Sequence, residues 1–334
     1  MAEKNPWGTR SAEEEADDLF FEEESDKERK DKKEEAQKEL KNLGMLLVSG
    51  SGWKEQLKDT LIEACSDKEN IRAALAVDDS ILEKVEKVSK ATCYVRRGMD
   101  SESRLKYYEQ IKDEKRLNKA KEGRFGGGTG FLINPKGSSG WFVITNNHVI
   151  MDKEEADSAE VIFDHLNDES LPDETKRFKV KGLVSKDIRT EHVADYKHLD
   201  FSVLVLESKG NFLANYACYF DERDINETIL RMSGLHSVPI ITFSQPHGLG
   251  KRISIGKYPK ESKELPKSHL RHGLPTARGS SGANLIYFQL KRGKPEFDVS
   301  DAAFLHYRHG IAVSWKAIGP VIRKDLSEPT GTCK

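Results

Sequence analysis

The sequence predicts a mainly β fold preceded by a charged N-terminal tail and a small helical region. Three features of the 334 residues carry that expectation. From residue 125 onward, short runs of β-branched and aromatic residues recur between Gly, Pro, Asn and Asp. Residues 52–90 show helical spacing instead. Charge is concentrated at the start: residues 1–42 hold 15 acidic and 9 basic side chains, a net of −6 against −2 for the whole chain. The remainder is therefore weakly positive, and a requirement for nucleic acid does not follow from charge.

The tail, taken as residues 1–45, contains an acidic block around Leu19, Phe20 and Phe21, then the mixed-charge run "DKERKDKKEEAQKELK" (26–41). Opposite charges four apart, such as Asp26–Lys30, Glu28–Lys32 and Glu34–Lys38, favour a helix. The composition suits a disordered tail running into a frayed helix; the alternative is a short acidic-aromatic docking motif at 17–24. "KERKDKK" (27–33) resembles a nuclear signal interrupted by acids. In the helical region, residues 46–90, Trp53, Leu57, Leu61 and Ile62 share one face, and Ile71, Leu75, Ile81, Leu82 and Val85 continue the pattern. "ATCYVRR" (91–97) reads as a strand, and "SESRLKYYEQIKDEKRLNKAKEGR" as an exposed charged insertion.

The β runs are "GTGFLI", "GWFVITNNHVI", "AEVIFD", "RFKVKGLVS", "LDFSVLVLE", "VPIITFS", "KRISIGKY", "SGANLIYFQL" and "HGIAVSW". Their number and spacing argue for an all-β barrel or sandwich and against alternating βαβ units. No apolar leader follows the polar start, and no run of eighteen apolar residues exists, so neither secretion nor a membrane span is expected. Cys65, Cys93, Cys218 and Cys333 are scattered without metal-ligand spacing. That distribution suits reduced thiols inside a cell, in cytoplasm or nucleus. No cofactor or metal site is expected.

Within the β region three residues fall in a telling order. His148 closes "GWFVITNNHVI", Asp200 opens "LDFSVLVLE", and Ser281 sits in "ARGSSGANLI". Each alone has an ordinary explanation as a surface histidine, a turn aspartate or a loop serine. Asp195 is a competing acid, and His192 and His198 are competing bases, but they lack the strand context. Gly-x-Ser-x-Gly, the elbow of α/β-hydrolases, fails at Ala283. His, then Asp, then Ser is the chain order of double-barrel serine peptidases.

These blocks resemble the trypsin-like (chymotrypsin-fold) serine peptidases, the histidine block being most similar to the intracellular and HtrA-type branch, without a PDZ domain. The resemblance spans residues 91–322 and implies a double six-stranded β-barrel over residues 91–325, followed by a tail at 326–334. It further implies Ser281 as nucleophile, His148 as base and Asp200 as orienting acid. Gly279 and Ser281 N–H groups would form the oxyanion hole, with Ser280 N–H assisting. Where secreted trypsins carry an aspartate before the nucleophile, this chain has Ser280, so activation by N-terminal cleavage is not expected. Pro275 and Thr276 fall near the base of the specificity pocket, with no carboxylate between 265 and 281. That points to an apolar or aromatic P1 residue. Val313, Ser314 and Trp315 would offer an edge to the substrate backbone. Lys316 narrows the pocket, favours an acidic side chain or stands solvated. Expected partners are protein or peptide substrates and a partner for the N-terminal helical or acidic region. Oligomeric state is open, and the competing function is a peptidase-fold binding or scaffold protein with latent or lost activity.

Overall fold

The computed structural model describes residues 26–50, 52–64, 79–121, 126–134, 140–187, 199–207, 239–257, 269–290, 297–308 and 310–327, together with residues 123, 213, 214 and 216. The acidic-aromatic motif at 17–24, Ile71 and Leu75, His192, Asp195, His198, and the tail from 328 lie outside them.

The chain begins with helix α1 (Asp26–Asn42), the two-residue strand β1 (Leu46–Leu47), α2 (Trp53–Ala64) and α3 (Asp79–Ala91). Helix α3 runs straight into β2 (Thr92–Arg96), which is followed by two short helices, α4 (Glu102–Gln110) and α5 (Glu114–Lys121). Then come β3 (Gly127–Ile133), β4 (Phe142–Thr145), α6 (Lys153–Ser158), β5 (Glu160–Ile162), β6 (Arg177–Asp187) and β7 (Phe201–Leu206). Strands β2 to β7 close into a six-stranded antiparallel barrel in the order β2-β3-β4-β7-β6-β5. Closure leaves no free edge, and the near-continuous burial of β2, β3 and β4 explains why they read as apolar runs and not as alternating ones.

The second half comprises β8 (Pro239–Ser244), β9 (Arg252–Lys257), β10 (His269–Arg271), β11 (Asn284–Leu290), β12 (Phe297–Arg308) and β13 (Ile311–Ser314), and ends in α7 (Trp315–Ser327). Among the described residues, closure of these strands into the expected second six-stranded barrel is not seen. They form a seven-stranded antiparallel sheet, β1-β9-β8-β11-β12-β13-β10, whose seventh strand is β1 from the N-terminal region. Leu46 pairs with Ile253 and Leu47 with Arg252. A two-residue strand has no periodicity to show, which is why it escapes a reading of the sequence.

The N-terminal region is equally integral in its packing. Leu57 and Leu61 of α2 are fully buried in the main core, and Trp53 meets Phe243 of β8 edge-on with ring centroids 6.1 Å apart. Burying each such leucine stabilises the fold by about 1.5–3 kcal/mol. Nor is α1 a solvated tail. Its Ala36 and Leu40 form a small buried cluster with Met45 and Leu249, while Gln37 Nε2 donates to Asp168 at 2.9 Å and Lys33 Nζ to Glu169 at 2.6 Å. One apolar stripe, three to four residues apart, is enough to dock a helix that is otherwise charged all round.

Candidate functional site

Strand pairing brings His148 and Asp200 together. β4 and β7 are neighbours with Thr145 opposite Ser202, so the residue three past Thr145 meets the residue two before Ser202. Asp200 holds the histidine at two points: its Oδ1 accepts from the His148 backbone N–H at 3.0 Å, and its Oδ2 lies 2.6 Å from His148 Nδ1. An ionised carboxylate only accepts, so Nδ1 carries the proton and Nε2 of the neutral ring is left as an acceptor. Asp200 is fully buried, whereas the His148 side chain keeps 13% of its exposure.

The approach to Asp200 is itself shaped by neighbours. Its backbone is left-handed, φ 48°, a conformation that Asp and Asn tolerate better than other non-glycine residues. Its carbonyl accepts from Asn147 N at 3.1 Å and Asn146 Nδ2 at 2.8 Å. Asn147 Nδ2 also reaches Ser202 Oγ at 3.0 Å and Met151 O at 3.1 Å. These two asparagines were not singled out from the sequence. Their signal is that consecutive Asn residues at a strand end supply side-chain bonds to a turn.

Ser281 lies half-buried in the connection between β10 and β11, and a barrel residue fixes that loop. Thr129 of β3 donates its N–H to Ser281 O at 2.8 Å and its Oγ1 to Gly279 O at 2.7 Å, while Oγ1 accepts from Gln245 N at 2.9 Å. The glycines around it are obligatory. Gly282 has φ +87°, and a Cβ there would sit 1.9 Å from Thr129 O; Gly279 has φ +83°, and a Cβ would sit 2.7 Å from Gln245 O. Gly128 is the spacer between the two halves. A Cβ on it would be 2.6 Å from the Val149 side chain and 3.1 Å from Ser281 O, so the residue after His148 and the carbonyl of Ser281 flank one point. Among the described residues no hydrogen bond joins Ser281 Oγ to His148 Nε2.

The loop's own donors divide into two kinds. Ser280 N–H is used on Ala277 O at 3.1 Å, and the buried Ser280 Oγ faces Ser244 Oγ at 3.2 Å. Among the described residues, the N–H groups of Gly279 and Ser281 have no acceptor. Behind the loop, His247 N donates to Arg278 O at 2.6 Å, His247 Nε2 lies 3.2 Å from Glu39 of α1, and Ala277 packs on the Leu40–Met45–Leu249 cluster.

The expected specificity wall is built differently. β13 lies between β12 and β10, with Val313 paired to Leu305 on one side and His269 on the other, so it presents no edge. The strand stops at Ser314, and Trp315 and Lys316 open helix α7. A helical backbone satisfies its own carbonyls and cannot extend a strand edge toward a peptide. Pro275 and Thr276 are half-buried in the loop that follows β10. In the same loop His272 is buried: its backbone N–H donates to Gly310 O at 2.7 Å, and burial pushes its pKa down to about 4 against a hydrogen bond from the ring to the Ile311 backbone that would raise it.

The charged insertion also contributes to the site. Arg104 of α4 and Glu155 of α6 are buried and paired, and Arg104 reaches the carbonyls of His148 at 3.0 Å and Val149 at 3.3 Å. Burial alone would raise the Glu155 carboxyl, but the charge and hydrogen bonds of Arg104 outweigh it and hold the pKa down to about 2. Among the described residues no cluster of His, Cys, Asp and Glu could hold a metal ion, and no helix is long and apolar enough to cross a membrane.

No protein-family model matches this chain, and comparison with curated proteins returns no relative. Among solved structures, the chain is similar to the HtrA-type protease AlgW with a decapeptide, at a TM-score of 0.41 and 14% identity. The alignment covers 73% of this chain and 66% of that one, so the chain spans just under two thirds of its length. A likeness of that size describes a shape and carries no chemistry.

Proposed function

We propose that this chain is a serine endopeptidase of the trypsin-like kind. The observation that carries the reading is the two-point hold of Asp200 on His148, at the rim of a closed barrel, with the Ser281 loop tied to the adjacent strand through Thr129. In this reading Ser281 Oγ attacks the scissile carbonyl carbon and its proton passes to His148 Nε2, the ring nitrogen left as acceptor. The buried Asp200 carboxylate stabilises the imidazolium. The developing oxyanion is met by the N–H groups of Gly279 and Ser281, whereas Ser280 N–H is engaged within the loop and takes no part. Collapse of the tetrahedral intermediate breaks the C–N bond, and the amine leaves with the proton from Nε2. Water, deprotonated by the same nitrogen, then hydrolyses the acyl-enzyme. A serine–histidine contact that tightens only with substrate bound is ordinary for resting enzymes of this chemistry. The reading places the protein inside the cell, where the buried Cys93 remains a free thiol.

The test is covalent labelling of full-length protein with a fluorophosphonate, the adduct located by mass spectrometry. Modification of Ser281 that disappears in Ser281→Ala and falls by several orders of magnitude in His148→Ala is expected. Folded protein with no adduct at Ser281, or with equal labelling in His148→Ala, overturns the proposal in favour of a fold kept for binding peptides.

A further inference from the structure

The region least expected to matter for chemistry is the charged insertion after β2, yet the first turn of its first helix contacts the proposed base. Arg104 is the third residue of α4, whose N-cap Ser101 accepts from Arg104 N at 3.3 Å. Glu155 is the third residue of α6, whose N-cap Asp152 accepts from Glu155 N at 3.1 Å. Each cap fixes the backbone from which a charged side chain projects. The two side chains then meet in a bidentate pair: Arg104 Nε with Glu155 Oε1, and Nη2 with Oε2 at 2.7 Å. Glu155 Oε2 also accepts from Met151 N at 2.7 Å, so the carboxylate is tied to the segment that follows His148.

What remains of the guanidinium is aimed at one stretch of main chain. Nη1 donates to His148 O at 3.0 Å and Nη2 to Val149 O at 3.3 Å, and a second guanidinium, that of Arg97, donates to Val149 O at 2.9 Å. Arg97 is held in turn by Asp100, its Nε 2.6 Å from Oδ1. Both backbone groups of His148 are therefore gripped by charged side chains: N–H by Asp200 and C=O by Arg104. Anchoring a helix to a barrel needs none of this, because apolar residues of similar volume serve as well as a buried ion pair, or better. An apolar side chain cannot donate to a carbonyl, and lysine cannot span Glu155 and His148 O with one planar fork.

We propose that Arg104, clamped by Glu155, is a positioning residue for His148, setting the height and tilt of the imidazole relative to Ser281. The proposal rests on the peptidase reading above. A base displaced by an ångström costs on the order of 10²-fold in turnover while leaving substrate binding in place.

The experiment compares full-length parent protein with Arg104→Lys and with the double variant Arg104→Met/Glu155→Gln, which removes both charges and leaves neither buried alone. Three quantities are measured: kcat and KM on a peptide substrate, the rate of Ser281 labelling by fluorophosphonate, and the low-field proton resonance of the His148 Nδ1–H held by Asp200. Expected for the folded double variant are a kcat and labelling rate lower by about 10²-fold, KM within twofold, and a shifted or lost low-field resonance. Arg104→Lys should fall between. A folded double variant with parental kcat, labelling and resonance overturns the proposal and leaves Arg104 a fastening of α4. If the double variant does not fold, Arg104→Lys decides on the same three readouts. If the parent itself neither labels nor turns over, the peptidase reading has failed, and the resonance alone judges positioning: unchanged in the variant, it overturns the proposal; displaced, it supports it.

Discussion

The two sides of the candidate site are held by different physics. On the barrel side, His148 sits among buried charges: Asp200 on its ring and N–H, Arg104 on its carbonyl, and Glu155 behind Arg104. On the other side, Ser281 sits in a loop fixed by neutral hydrogen bonds from Thr129, by two glycines in left-handed conformation, and by packing of Ala277 against α1. Charge-assisted bonds in a low-dielectric interior are short and hold one geometry. Turn conformations and apolar contacts are individually weaker and depend on distant elements. The difference teaches that the proposed base is held by side chains directly around it, whereas the proposed nucleophile depends on a helix whose first residue lies 255 positions earlier in the chain.

The sharpest way to separate the two sides is Gly282→Ala. A Cβ that meets Thr129 O at 1.9 Å on a left-handed backbone forces the loop out of place. Ser281 labelling should fall by more than about 10²-fold, while the low-field His148 resonance persists; loss of both together would mean that the sides are not separable. Next in size, Leu40→Ala in α1 should cost about 2–5 kcal/mol in urea unfolding and slow Ser281 labelling, again without moving the resonance. A variant as unstable as this with unchanged labelling would remove α1 from the account of the loop.

Acid should loosen the two sides in sequence. His272 beside the loop has its pKa pushed down to about 4 from an ordinary 6.5, so the unfolded chain takes up the proton first, and stability falls as pH drops from about 6.5 to about 4. Glu155 is held down to about 2 from 4.5, so its contribution is complete above pH 4.5 and is lost as pH falls through about 2. Urea midpoints at pH 7, 5.5 and 4 should decline in the parent by an amount worth on the order of 1–3 kcal/mol, and the slope should flatten in His272→Gln. An identical slope would assign the effect elsewhere. The smallest change is expected from Asp157→Asn, which breaks an exposed pair with Lys153 on the outer face of α6. Calorimetry should find less than about 0.5 kcal/mol.

Much of the barrel is legible in the sequence because buried strands bounded by Gly, Asn and Asp write themselves as apolar runs, and because His148, Asp200 and Ser281 each stand at the end of such a run. Arg104 and Glu155 are not legible, since a charged residue marks solvent by default and nothing local says that two of them will be buried together. Helix α1 hides for a similar reason: its stripe is only Ala36, Leu40 and the following Leu43, set in a run of charge. The misplaced specificity wall has another cause. Pro320 argues against a helix where α7 runs, because proline lacks the N–H that the preceding turn needs. Tertiary packing of Ile318 and Ile322 prevails over that local signal.

The left-handed backbone of Asp200 has a practical consequence. Few residues accept that turn, and of those that do, only aspartate brings a carboxylate. Asparagine accepts it too and has the same outline. Exchanging one oxygen for an amide nitrogen in Asp200→Asn should leave the fold intact while turning the ring's proton to the wrong nitrogen. Alanine at the same position would disturb the turn and the chemistry together. If the proposed peptidase reading holds, a well-folded but silent Asp200→Asn protein would serve as a substrate trap, holding its target from a cell extract long enough for the target to be identified.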